Sequence, residues 1–172
     1  MTYQIDPKHS SARFKVRHMM IANIQGTFDA VSGTVEFDSS KPDAAKFEAT
    51  IDVNSLHTGD PQRDGHLKTP DFLDAEKFPT ITFRSKKITS SGGKNYKATG
   101  DLTLRGVTKE VTLDVEGLSD EVTDPWKLQR RGVAATTRVN RKDFGLAFDP
   151  DGGMVSNTVE ISLDVEFTRA AS

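Results

Sequence analysis

The sequence predicts an all-β domain, and three observations carry that reading. Apolar and polar residues alternate over most of the 172 positions, the period of strands whose two faces meet different surroundings. Only one stretch, around Asp60-Pro61, has the punctuation of a helix. The aromatic residues are ten Phe against two Tyr and one Trp, bulk without hydrogen-bonding handles that suits a dry interior.

The elements follow in chain order. Phe14, Val16 and His18 alternate with Arg13, Lys15 and Arg17. Ile24, Gly26 and Phe28 share a parity that Val31, Gly33, Val35 and Phe37 do not. One extra residue near Asp29-Ala30 restores the facing, as a β-bulge does, and bends the sheet. Phe47, Ala49, Ile51 and Val53 form the next apolar face. The rhythm breaks from Gly59 to Phe78. Asp60 reads as a helix N-cap with Pro61 at the first helical position, and Thr69-Pro70-Asp71-Phe72-Leu73 as a second capped turn. A short helical insert near residues 60-75 therefore interrupts the sheet and covers one end of it. Ile81, Phe83 and Ser85 resume the strands, followed by Tyr96, Ala98, Gly100, Leu102 and Leu104, then Val111, Leu113 and Val115. Ser91-Gly92-Gly93 and Arg105-Gly106-Val107-Thr108 are hairpin-like connections. The last strand is the clearest: Val159, Ile161, Leu163, Val165 and Phe167 against Glu160, Ser162, Asp164, Glu166 and Thr168.

One wet face per strand suits antiparallel pairing. The runs amount to about eight strands, the number at which a barrel just holds a small ligand. The same strands would also make a sandwich with a solid core. Alternation does not separate the two. The length fits a single domain over residues 1-172, and no linker or repeat divides it.

Composition narrows the function. Charged residues make up 28% of the chain and the net charge is −2, with both signs spread along it, so no nucleic-acid partner is expected. No apolar run approaches the roughly 18 residues that span a bilayer. Met1 to Asp6 shows neither a basic leader nor an apolar signal core, so the expected location is cytoplasmic, with the periplasm as the alternative for a chain released from a leader. There is no cysteine, hence no disulfide framework and no thiolate zinc site.

The polar constellations are weak. His57, Arg63, Asp64 and His66 lie close in sequence and invite a metal or acid–base reading, but no HExxH spacing exists. A structural network of Arg63 and Asp64 that pins the insert is favoured, and His9 and His18 add little. Asp149-Pro150-Asp151-Gly152-Gly153, with Glu160 at the twelfth place, mimics a calcium loop, yet Gly153 and Met154 stand where a ligand and a glycine belong. Ser10 beside His9 lacks the GxSxG elbow of a hydrolase. Arg130, Arg131, Arg138, Arg141 and Lys142 read as solvated strand faces. No enzyme activity, no metal site and no cofactor are expected.

Several blocks stand in a recognisable order. Ile5-Asp6-Pro7-Lys8-His9-Ser10 leads into Phe14-Lys15-Val16-Arg17-His18, and Gly26-Thr27-Phe28 precedes Gly33-Thr34-Val35. Arg63-Asp64-Gly65-His66-Leu67, Asp71-Phe72-Leu73-Asp74 and Phe78-Pro79-Thr80-Ile81-Thr82-Phe83 follow. Gly100-Asp101-Leu102-Thr103-Leu104-Arg105-Gly106-Val107-Thr108 and Arg141-Lys142-Asp143-Phe144-Gly145-Leu146 complete the series. In these blocks, from Tyr3 to Phe167, the chain resembles the YceI-like family of polyisoprenoid-binding proteins. The resemblance implies an extended, eight-stranded antiparallel lipocalin-like β-barrel, hollow along its axis. It also implies a long-chain isoprenoid or similar amphiphilic lipid, often a quinone tail, held there for transport, storage or sequestration. A homodimer is a further expectation from the resemblance, and transient membrane contact is an expected partner interaction of such a carrier.

The inward positions then become candidate ligand-binding residues. On the first strands these are Phe14, Val16, Phe28, Val35 and Phe37, followed by Phe47 and Ile51. Phe83, Leu102, Leu104, Leu113, Leu163 and Phe167 continue the set, while Phe72, Leu73 and Phe78 on the insert are placed at one end of the tunnel. The alternative is a non-enzymatic stress-response or interaction module whose core is filled by these same side chains, with a metal-dependent enzyme at His57, Asp64 and His66 as the less favoured one.

Overall fold

The computed structural model describes residues 1–171. Twelve strand segments succeed one another: β1 (Thr2–Ile5), β2 (Ser11–His18), β3 (Ala22–Phe28), β4 (Val31–Glu36), β5 (Lys46–Asp52), β6 (Leu56–His57), β7 (Thr80–Gly92), β8 (Asn95–Leu104), β9 (Val107–Glu116), β10 (Val122–Thr123), β11 (Leu128–Asn140) and β12 (Thr158–Ala170). One α-helix, α1 (Pro61–Leu67), lies among the described residues. Pairing runs β11–β9–β8–β7–β5–β4–β1–β12, and β12 returns to β11 from Leu128↔Ala170 to Asn140↔Thr158. The sheet thus closes into an eight-stranded antiparallel barrel, whose seam between β9 and β11 is paired only from Ala134 to Thr136. The long return pairing decides between barrel and sandwich.

The first three barrel strands are broken at one level. β2 continues β1 past a 3-10 turn at Pro7–His9 and pairs with β12. β3 pairs with β2, and β4 with β1, on either side of Asp29-Ala30. β6 pairs with β3 beyond a second 3-10 turn at Val53–Ser55. The expected bulge falls at the middle break, where Phe28 and Val31 are both buried although their separation in sequence is odd. The Asp52 amide donates to the Ala30 carbonyl at 3.0 Å, so the irregular backbone stays paired.

A second irregularity turns the facing of β7. Its register against β8 shifts between Ser85 and Lys87, so buried Phe83 and half-buried Ile88 pack on one core despite opposite parity. Gly100 opposes Ser85 there, and a Cβ at Gly100 would lie 2.3 Å from the Arg84 carbonyl oxygen. Only glycine allows that approach.

The insert covers one end. Asp60 caps α1 by accepting from the amides of Gln62 and Arg63. Buried Phe72 packs on Phe148 with centroids 4.9 Å apart, and Arg105 of the β8–β9 turn donates to the Phe72 carbonyl at 2.9 Å. The half of the barrel above this cap is filled by Phe28, Leu56, Phe83, Leu102, Leu104 and Phe144.

Arg141, Arg130 and, at the barrel end, Arg131 correct the expectation of solvated strand faces. Arg141 is only 3% exposed. Its guanidinium donates to the carbonyls of Leu146 (2.7 Å), Phe148, Asp149 (2.7 Å), Val155 (3.3 Å) and Ser156 (3.1 Å), and so organises the whole loop before β12. Arg130 bridges three carboxylates, Asp6 at 2.7 Å, Glu166 at 2.8 Å and Asp124 at 3.0 Å. Guanidinium forks can be buried where acceptors converge, and those acceptors are far apart in sequence.

Asp6 makes the clamp sensitive to acid. Burial pushes its carboxyl up, but hydrogen bonds from Arg130, His9 and the Lys8 amide outweigh it and bring the pKa from 3.8 down to about 2. A depressed folded-state pKa contributes stability above the unfolded value, lost as pH falls through the folded one. The expected result is a stability decline between pH 4 and pH 2 that Asp6→Asn flattens, measured by urea unfolding at each pH. An unchanged pH slope in the variant would show that other carboxylates carry the acid response.

Candidate functional site

A cavity opens where the inward positions are small. Ala135 of β11 is paired with Val115 and Leu163, and Ala98 of β8 with Ile88 and Leu113. With Val133 and Val165, these short side chains leave space along the axis that Phe37, Phe47, Tyr96 and Phe167 bound. The walls expose carbon only. The empty space, with its opening to solvent included, is about 700 Å³. The cavity is an apolar slot along the barrel axis. Lys46 is its exposed lining residue, and with half-buried Pro42 and Ala45 it marks the mouth, at the end opposite the helical insert.

A polar network closes the barrel beside the slot. The buried Tyr3 hydroxyl donates to Glu121 and accepts from Arg131 Nε at 3.2 Å. Arg169 grips the same carboxylate through Nε at 3.0 Å and Nη2 at 2.7 Å. Arg131 also lies 5.1 Å over the Phe37 ring and donates to the Ser119 carbonyl at 2.9 Å. The Arg169 hydrogen bond, against the opposing effect of burial and with help from Tyr3, holds the Glu121 carboxyl below its ordinary range. The network bolts residues 118–121 across the barrel end, and Leu118 of that segment lines the slot. Sequence reasoning missed it, although Arg131 shares the inward parity of Val133 and Ala135.

Of the sixteen residues singled out from sequence, Val35, Phe37, Phe47, Leu113, Leu163 and Phe167 face the slot. Phe28, Phe83, Leu102 and Leu104 lie in the filled half, with Ile51 and Leu73 packed against it. The Phe14 ring sits over Gly26, 5.9 Å from the Phe28 ring. Val16 borders a surface groove with Arg17 and Asn157. Phe72 and Phe78 belong to the capped end, the latter against Gly106. The insert thus covers an end as expected, but the slot opens at the other. Ala98, Val115, Val133, Ala135 and Val165 were not singled out, because the reading favoured bulk. Large side chains consume space and small ones leave it.

The rival constellations separate into local contacts. His57 meets Asp29 at 3.3 Å and His66 meets Asp71 at 2.9 Å. Asp64 accepts from the Thr58 amide and hydroxyl at 2.8 and 2.6 Å, while Arg63 donates to the Thr58 hydroxyl and carbonyl at 2.8 and 2.9 Å. Both therefore pin the start of the insert. Among the described residues, Asp6, His9 and Glu166 bring ligand atoms within 4.8 Å of one another. Arg130 already sits on both carboxylates, where a divalent ion would have to lie. In the calcium-like loop, Asp149 is turned onto the amides of Met154 and Val155 at 2.6 and 3.0 Å, and Glu160 pairs with Lys15 and Arg138. No helix among the described residues is long and apolar enough to cross a membrane.

Comparison with known proteins agrees with this architecture. The YceI-like domain family matches residues 3–167. Protein YceI of Salmonella newport (strain SL254) is 38% identical over 166 residues, covering 95% of this chain and 85% of that protein. The crystal structure of Burkholderia cenocepacia BcnA superposes with a TM-score of 0.86 at 26% identity, covering 94% of this chain and 98% of the other. A polyisoprenoid binding domain from Saccharophagus degradans, implicated in plant cell wall breakdown, shares the fold with a TM-score of 0.70 at 17% identity, covering 96% of this chain and 97% of its own. With a closed eight-stranded barrel, a short helical cap and a family match across nearly its whole length, the chain belongs to the YceI-like domain family.

Proposed function

We propose that this protein holds the apolar tail of a long-chain isoprenoid or similar amphiphile in the barrel slot, for transport, storage or sequestration. The observation that carries the reading is the slot itself: carbon-only walls and a mouth beside Lys46. The ligand class named for the Saccharophagus degradans domain is in keeping with it. Burying a methylene from water gains about 0.8 kcal/mol. A tail already in a bilayer is dry, so its transfer into the slot changes little hydrophobic free energy. The protein can therefore exchange its cargo with a membrane instead of trapping it. Carbon-only walls offer a polar head group no hydrogen-bond partner, which leaves it at the mouth.

Organic extraction of the purified protein followed by mass spectrometry is expected to recover a near-stoichiometric long-chain amphiphile. Added isoprenoid alcohol at about one hundred times its Kd should stabilise the native state by about 2.7 kcal/mol, a rise of several degrees in Tm. No recovered lipid together with no thermal shift would leave the filled-core interaction module as the better reading.

A further inference from the structure

We propose that the open end of the barrel docks on a phospholipid bilayer, with Trp126 as its interfacial anchor. The purpose of this docking rests on the carrier reading, but its evidence is separate. Trp126 is the only tryptophan in the chain and is 75% exposed, on the turn between β10 and β11. Val122 (56% exposed) lies on β10, and Met1 (59%) precedes β1. All three belong to the mouth end. Val122 pairs with Arg130, and Leu128 with Ala170, at that end of β11 and β12. The Phe37 amide donates to the Met1 carbonyl at 2.9 Å, and Phe37 lines the slot. One continuous segment runs from Leu118 in the slot wall to Trp126 at the rim.

The exposed indole is held in place. The Asp124 carboxylate accepts from the amides of Trp126 and Leu128 at 2.9 and 3.0 Å and from Arg130 at 3.0 Å, so the turn that presents the ring is tied to the barrel. Large aromatic side chains are seldom left so exposed, and tryptophan favours the boundary between hydrocarbon and water. The charges around it are largely balanced. Asp120 is paired with Lys94, Glu121 with Arg169 and Asp124 with Arg130. Lys41, Lys46 and Lys127 stand exposed at the rim. Glu36, Asp38 and Asp43 share the rim, and Asp38 is turned onto Ser40. Three apolar side chains on separate segments fall far short of the roughly 800 Å² per partner of a stable protein interface. A fluid surface needs no such complementary patch.

A second apolar tip lies at the opposite end, where Met19, Met20 and Ile21 stand exposed next to Met154. It is remote from the mouth and serves as the comparator. The test uses the full chain and large unilamellar vesicles of phosphatidylcholine and phosphatidylglycerol. Because Trp126 is the sole indole, the wild-type protein reports on itself: its emission should shift to the blue and be quenched by brominated lipid. Vesicle co-sedimentation of Trp126→Ser/Val122→Ser should weaken about tenfold with an unchanged Tm, while Met20→Ser/Ile21→Ser binds as the wild type does. Absence of both blue shift and co-sedimentation overturns the proposal. So does a loss no greater in the Trp126 variant than in the Met20 variant. An extraction that finds no lipid sinks the carrier reading alone, since vesicle binding is measured without reference to cargo.

Discussion

Replacing Arg141 with methionine is expected to cost about 3–5 kcal/mol of stability, because several buried carbonyls lose their donor at once and each unsatisfied group costs about 1–3 kcal/mol. In a chain of this size that corresponds to a fall in Tm of about 10 °C. Arg141 is buried with five carbonyl acceptors drawn from residues 146–156 and no carboxylate in contact. Burial pushes its pKa down, partly offset by Asp149. Lysine, a point charge without the planar fork, should recover only part of the loss. Differential scanning calorimetry of the wild type, Arg141→Lys and Arg141→Met should give that order. A methionine variant within 1–2 °C of the wild type would show that the loop organises itself without the guanidinium.

Ala135→Phe is expected to abolish cargo retention while leaving the barrel folded. Ala135 is one of the small residues that create the slot, flanked by Val115 and Leu163 across its strand neighbours. A benzyl group there enters an existing void, so its stability effect should stay within about 1–3 kcal/mol. Leu104→Ala in the filled half provides the opposite pattern: a stability loss of about 2–5 kcal/mol with retention kept. Extracted lipid per protein, with Tm measured in parallel, distinguishes the two. Undiminished lipid in Ala135→Phe would remove the slot from consideration as the binding site.

Much of the candidate site was readable from the pattern of faces, and the errors have one origin. Alternation identified Leu113, Leu163 and Phe167 as inward, and they do border the slot. It also identified Phe83, Leu102 and Leu104 as inward, and they fill the other half. The two groups look alike in sequence because parity fixes the direction of a side chain without fixing its height along the axis. Height is set by cross-strand register, which the return of β12 to β11 and the shift at Ser85/Lys87 establish.

By itself the sequence determined the antiparallel all-β class, the break at Asp29-Ala30 and the capped helix at Asp60-Pro61, since each rests on neighbouring residues and the local geometry they impose. Only the tertiary structure decided that the sheet closes, that small residues leave an open slot at the end away from the insert, and that Arg130, Arg131, Arg141 and Arg169 are tied into networks instead of facing water. Those outcomes depend on hydrogen-bond acceptors and packing partners brought together from distant parts of the chain. Local periodicity holds no record of such distances.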